Sequence, residues 1–285
     1  MSTVEQKVAN VTELKRIANR MRIEIIRMIG AAGSGHPGGS LSEVELLTAL
    51  YFGVMRHDPQ NPNWLQRDRF VLSKGHGCPA YYAVLAEAGY ISRDLLMTLR
   101  KLGSPLQGHP DKRMLPILEA STGSLGQGLS IGIGMALAAR LDNIDKHIFV
   151  MTGDGELQEG QNWEAAMFAP YHKLSNLTLI VDYNRLQLDG FLADILDIAP
   201  LADKFRSFGW ATVEIDGHDF NQVIPALEQA RANTSDKPSA IVAHTVKGKG
   251  VSFMENKPEW HGIAPNPEQV EAAVKELEAD AAKIG

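Results

Sequence analysis

Apolar residues recur at spacings of three and four along the first helix-length stretch of the chain: Val11, Leu14, Ile17, Ala18, Met21, Ile25 and Met28. That period predicts an amphipathic helix ending near Gly30. Further helices are predicted over Glu43 to Phe52, Pro79 to Gly89, Glu159 to Leu174 and Asn221 to Ala232. A glycine-rich loop feeding a helix of small residues begins at Ser121, and a polar helix closes the chain after Asn266. Between these stand short apolar runs of strand length: Phe70 to Leu72, HIFVMT, Leu177 to Asn184, ATVEID and SAIVAHTV. Apolar strands alternating with helices predict βαβ units, hence an α/β fold with a parallel central sheet and helices on both faces. There is no internal repeat, low-complexity segment or long linker, so one domain over residues 1–285 is the economical reading.

Composition narrows the function classes. The chain is 44% hydrophobic and 22% charged, enough apolar material for a large core. Its formal net charge is −6 and it has no basic run, which argues against a nucleic-acid partner. The single cysteine, Cys78, excludes an internal disulfide and fits a reducing compartment. The N-terminus is polar and charged, unlike a secretory leader. The apolar stretch Leu129 to Ala139 is too short to cross a bilayer. A cytoplasmic protein with no membrane association is expected.

The candidate chemistry starts at Gly153-Asp154-Gly155, where a carboxylate stands between two glycines at the end of a buried strand. An unpaired buried charge is costly, and Asp and Gly are also ordinary turn residues. A second strand ends at Asn184, thirty residues further on. Parallel strands joined by a crossover helix present their carboxyl ends on one edge, where ligands of open α/β sheets bind. A carboxylate and an amide oxygen can therefore converge there as hard donors for Mg²⁺, which keeps room for water or phosphate oxygens. The glycines permit close backbone approach, and the helix that follows could direct its first amides at an anion.

Here the sequence resembles a known family. GDGELQEGQNWEAAMFAPYHKLSNLTLIVDYN is similar to the thiamin-diphosphate fingerprint. The blocks GSGHPGG, RDRFVLSKGHG, GHPD, STGSLGQGLS, GDGELQEG, NRLQLDG and KPEWHG resemble those of transketolases, in family order from Gly33 to Gly262. They cover the diphosphate-binding half of a full-length transketolase. The resemblance implies thiamin diphosphate with Mg²⁺ or Ca²⁺, the metal held by Asp154, Asn184 and the backbone carbonyl of Leu186. It implies cofactor contacts from His76, Gly123, Ser124, Leu125, Gly153, Asp154, Gly155 and Asn184. It places His36, His109 and His261 at a sugar-phosphate substrate, and makes Glu159 an interface carboxylate coupled to cofactor activation. Read singly, His36, His76, His109 and His261 are glycine-flanked loop histidines; the resemblance is what assigns them. His218 keeps a structural reading, and His57, His147, His172 and His244 are read as surface or core residues.

The resemblance further implies reversible transfer of a two-carbon ketol unit from a ketose phosphate to an aldose phosphate. It implies a separate C-terminal subunit, the pyrimidine-binding half, in an α2β2 heterotetramer; the polar C-terminal helix is expected to be a well-formed end. The alternatives are another thiamin-diphosphate enzyme acting on an unusual sugar phosphate, and a non-catalytic cofactor-binding subunit. The GHPD and KPEWHG blocks favour the transketolase side of the first. A thiol nucleophile at Cys78 lacks triad partners. The glycine pairs at 126/128 and 132/134 fail the dinucleotide fingerprint, because Ile131 and Leu137 occupy its last position.

Overall fold

A computed structural model describes residues 9–284. The first eight residues, part of the polar N-terminus read above as unlike a leader, lie outside the described residues. The elements run α1 Val11–Ala32, α2 Pro37–Ser42, α3 Val44–Ala49, β1 Arg69–Leu72, α4 Cys78–Glu87, α5 Gly128–Leu141, β2 Ile148–Gly153, α6 Gly160–Tyr171, β3 Leu177–Tyr183, α7 Leu192–Ile195, α8 Leu201–Phe208, β4 Ala211–Asp216, α9 Phe220–Arg231, β5 Ser239–His244 and α10 Pro267–Ala281. Among the described residues five strands form one sheet, in the order β1-β2-β3-β5-β4. Every pairing is parallel.

Side chains of a strand alternate between faces, and both faces are covered along β1, β2, β3 and β5, whereas the edge strand β4 buries only Ile215. Phe149, Met151 and Ile180 join the core beneath α1, α3, α4 and α9; Ile148, Val150 and Leu179 join the one beneath α5, α6 and α8. Double burial explains why those four strands read as continuous apolar runs rather than alternating ones. In α1 the predicted stripe is buried from Leu14 to Met28, while Val11 at its start is half-buried. The Asn10 side chain accepts from the Glu13 amide, and the helix stops at Gly33, whose φ is 61°.

Two differences from the sequence reading bear on the site. Helical backbone begins at Pro37 rather than Glu43, because α2 is wholly buried and Ser40 Oγ donates to the His36 carbonyl. The helix α8 was not anticipated; its apolar residues Leu201, Ala202 and Phe205 bury against the face of α6. α5 lies close on the sheet because residue 132 has no side chain: a Cβ there would strike Val150 Cγ2. Val150 is fully buried and β-branched, so it has little freedom to yield. Gly132→Ala is expected to destabilise the chain by about 1–2 kcal/mol despite the better helix propensity of alanine, read as a lower urea midpoint at unchanged slope.

Candidate active site

Because all five strands run the same way, their carboxyl ends share one edge. The segment after β1 carries Lys74 and His76, the one after β2 Asp154, the one after β3 Asn184, and the one after β5 Lys247. With His36, His109, Gly123, Leu125, Gly155, Leu186 and His261 they line a cavity of about 330 Å³. Glu159 lies on its rim and is exposed, while Ser124, also exposed, is outside the lining. A groove of about 430 Å³ at the opposite end of β4 and β5 has no titratable lining residue.

Asp154 and Asn184 are brought together as expected, by the pairing of Gly153 with Asp182 across β2 and β3. The Asp154 carboxylate is buried and accepts from the Gly155 amide at 2.7 Å and from the Arg185 amide. Arg185 adopts φ 66°, which turns its backbone back toward Asp154. Burial, then the charge of Asp182, pushes the Asp154 carboxyl up to about 7, against the two amides and Lys247. Asn184 Oδ1 accepts from the Leu186 amide at 3.1 Å, and Asn184 Nδ2 donates to Asp182 Oδ2 at 3.2 Å. The amide is thereby oriented with its oxygen on the Leu186 side. Among the described residues no three histidine, cysteine, aspartate or glutamate side chains converge as a metal cluster. The oxygens here are a carboxylate, an amide and a backbone carbonyl, a hard set suited to Mg²⁺ or Ca²⁺.

The expected helix-terminus amides are arranged differently. Gly155 N is engaged by Asp154, and Gly153 N by Glu156 Oε2 at 3.0 Å. Only a short 3-10 turn, Gly155–Gln158, follows before α6. Two buried lysines stand at this edge as well, and the sequence reading missed both. Lys247 is 1% exposed; its Nζ donates to the Leu186 carbonyl at 3.0 Å and stands 2.6 Å from His261 Nδ1. Burial lowers its pKa to about 8 against the pull of Asp154. Lys74 lies in the cavity floor, with Nζ 2.6 Å from Asp182 Oδ2, 2.7 Å from Glu43 Oε2 and 2.9 Å from the Gly39 carbonyl. Burial, opposed by Lys74 and reinforced by Asp182, carries Glu43 to about 8. Burial also favours the neutral form of Asp182, but Lys74, Ser42 and Thr245 hold that carboxyl below its usual range.

Glu156 gathers the floor. Its carboxylate accepts from Ser73 Oγ, from the Gly126 amide at 2.9 Å and from the Gly153 amide. The segments after β1, before α5 and after β2 are therefore tied at one point. Gly75 packs so closely on residue 123 that a Cβ would lie 2.7 Å from the Gly123 nitrogen.

Four imidazoles form one cluster. His36 is centred 5.3 Å from His76, 6.1 Å from His109 and 5.6 Å from His261, and His76 stacks on His261 at 5.1 Å. Burial, then Arg100, His109 and Lys247, pushes His36 down to about 4. Burial, then Lys247 and His36, pushes His261 to about 3. His76 and His109 are lowered as well, each mainly by burial. At neutral pH all four are uncharged, each with one donor and one acceptor nitrogen, a state that can pass protons between oxygens. The other histidines stay out of the cluster: His218 bonds Glu45 at 2.9 Å and the Val246 amide at 2.8 Å, and buried His147 bonds Thr178. Cys78 is buried, and burial raises its thiol to about 12, which is inert chemistry for a nucleophile.

A hard oxygen set, the buried Lys247 and neutral imidazoles meet on one parallel-sheet edge, an arrangement compatible with a thiamin-diphosphate-type site. Residues 13–284 match the family described as transketolase, thiamine diphosphate binding domain. The chain belongs to the transketolase family. It is 48% identical over 270 residues to the 6-deoxy-6-sulfo-D-fructose transketolase subunit of Clostridium sp. (strain MSTE9), covering 95% of this chain and 98% of that one. It is 46% identical to an apulose-4-phosphate transketolase subunit of Actinobacillus succinogenes, covering 93% and 95%. The crystal structure of Campylobacter jejuni transketolase superposes with a TM-score of 0.89 at 34% identity, over 97% of this chain and 46% of that one. The chain thus spans less than half of that transketolase but nearly the whole of the subunit relatives. Among the described residues no helix is long and apolar enough to cross a membrane.

Proposed function

We propose that this chain is the diphosphate-binding subunit of a two-subunit transketolase, which moves a two-carbon ketol unit between sugar phosphates in complex with a pyrimidine-binding partner. The observation that carries the reading is the meeting, in one cavity, of the Asp154–Asn184–Leu186 oxygens with four neutral imidazoles. Thiamin diphosphate, when bound, supplies the carbanion stabilisation that ketol transfer needs. Asp154, Asn184 and the Leu186 carbonyl would hold Mg²⁺ or Ca²⁺. The donor set fits: a buried carboxyl raised toward neutrality by burial and a neighbouring carboxylate is stabilised as the anion by a divalent ion. Lys247 offsets diphosphate charge from the same wall, and His76 with Gly123 and Leu125 completes the cofactor surface.

His36, His109 and His261 hold and move protons at the hydroxyl and carbonyl oxygens of the sugar. A group that shuttles protons at neutral pH must not be locked in its charged form, and these are not. His261→Ala is expected to lower kcat by about 100-fold or more, within the range for loss of a general acid–base, while calorimetry shows cofactor affinity unchanged. Lost cofactor binding would move His261 from the substrate side to the scaffold.

The partner reading is supported by the subunit-sized relatives and by exposed apolar residues on α6. Met167, Phe168 and Tyr171 lie on the helix that starts beside the rim carboxylate Glu159. A two-plus-two assembly is expected, and native mass spectrometry of the chain purified from its own cells tests it. Two copies with two similar-sized partner chains, active in ketol transfer from a ketose phosphate donor panel, support the reading. The chain alone, fully active, overturns it. Relatives are named for 6-deoxy-6-sulfo-D-fructose and for apulose 4-phosphate, so the panel includes both. A non-catalytic role is disfavoured because a binding subunit would have no physical need to keep the proposed metal oxygens and the imidazole cluster together.

A further inference from the structure

Arg100 does not line the cavity, yet it is held in a costly conformation. Its φ is 59°, in the left-handed region that disfavours a non-glycine residue. Such a conformation persists where surrounding contacts over-determine it. The Arg100 amide donates to the Leu106 carbonyl at 2.8 Å, closing the loop that presents Gly108 and His109. The guanidinium then reaches across to the turn before α2. Nη1 donates to Ser34 Oγ at 3.1 Å, and Nη2 donates to the Gly108 carbonyl at 3.3 Å and stands 3.5 Å from His36 Nδ1. A Cβ at residue 108 would lie 2.7 Å from Arg100 Cζ, so glycine there lets the planar group lie against the chain.

We propose that Arg100 is a positioning residue for the imidazole cluster: its guanidinium ties the Ser34–His36 turn to the Gly108–His109 loop and sets a fixed positive charge against Nδ1 of His36. This rests on the reading of His36 and His109 as substrate-facing imidazoles. A guanidinium has no acceptor, so the His36 nitrogen facing it must be the bare one, and the ring carries its proton on Nε2. The other groups that face His36 are His109 from the loop that Arg100 closes, His76 from the segment after β1, and Lys247 and His261 from the segments after β5. Of these only Lys247 is charged at neutral pH, and its ammonium is directed at the Leu186 carbonyl and His261. Arg100 is thus the charge in contact with the ring, and it disfavours the imidazolium.

The test uses the full chain, with histidine ring nitrogens followed by NMR across pH, and the assembled enzyme for kinetics. In the wild type, His36 is expected to show a bare Nδ1 and a protonated Nε2. In Arg100→Gln its titration is expected to rise by about one pH unit, the effect of removing a like charge at this range, and the tautomer preference is lost. Arg100→Lys keeps the charge, so the titration stays near the wild-type value, but it loses the fork; kcat falls while thiamin diphosphate affinity holds. An unchanged His36 titration and tautomer in folded Arg100→Gln would make Arg100 a loop brace and overturn the proposal. A wild-type complex with no ketol transfer would instead count against the functional reading, and the ring titration would still decide the role of Arg100.

Discussion

Asp154→Ala is expected to weaken thiamin diphosphate binding in the presence of Mg²⁺ by at least about 100-fold, since even outer-sphere changes at metal sites cost about 10–100-fold. Asp154 is the one carboxylate in the proposed donor set, so no neighbouring side chain replaces its charge. The complication is that its oxygens also accept from the Gly155 and Arg185 amides, and a methyl group leaves both without an acceptor. Asp154→Asn separates the two effects, because it retains an acceptor and the volume while removing the charge. Both variants should lose metal-dependent binding in calorimetry, and only the alanine should also lower the thermal midpoint. Unchanged affinity in both would place the metal elsewhere. The wild type carries a pH signature of the same assignment. With the carboxyl at about 7 before metal binds, a proton competes with the cation below that value. Metal affinity should therefore be full above pH 7 and fall by about tenfold per unit below it.

Lys74→Met is expected to cost about 3–5 kcal/mol of stability, the penalty for breaking a buried ion pair and leaving its partners uncompensated. Lys74 is 2% exposed, and both Glu43 and Asp182 are fully buried. Their carboxyls gain no other cation when the ammonium is removed. Glu43 then rises further above its unfolded value, and Asp182 loses the charge that holds it down. The native state of the variant therefore takes up protons that the unfolded state does not. Its stability should be lowest at high pH and recover as pH falls through the raised carboxyl values. Urea midpoints at pH 8.5 and pH 5.5 check this: the gap from wild type narrows at the lower pH. A gap that is constant, or below about 1 kcal/mol, would mean the pair contributes little. Lys74→Met combined with Glu43→Leu tests the pairing itself, because removing one orphaned carboxylate should restore part of the loss.

The sheet and the Asp154–Asn184 pair were legible in the sequence because both follow from short-range pattern. Apolar runs of fixed length mark strands, and a strand end followed by a crossover helix and a second strand end puts two residues on one edge whatever the surroundings. The helix α2 was not legible: PGGSLS has weak helix propensity, and burial beneath the site overrides it. α8 is one short amphipathic turn pair, easily lost beside stronger periods. The lysines escaped for a different reason. Lys74 meets Asp182 across 108 residues of chain, and no local spacing predicts that contact. Lys247 left a usable trace, since it follows the end of a strand on the edge that carries Asp154. Arg100 left none, because its role depends on a left-handed backbone that sequence favours for glycine. The distances within the histidine cluster were equally out of reach, although each of its members was named.

The carboxylate of Glu156 binds three segments at one point, and that has a consequence for how a ligand is received. A pocket whose walls were independent loops would have to order each of them on association and lose part of the contact energy as conformational entropy. Here the loops after β1, before α5 and after β2 are already fastened together by buried hydrogen bonds. The entering molecule meets a surface whose shape is already set, so the free energy of its contacts goes into affinity rather than into assembling the receptor.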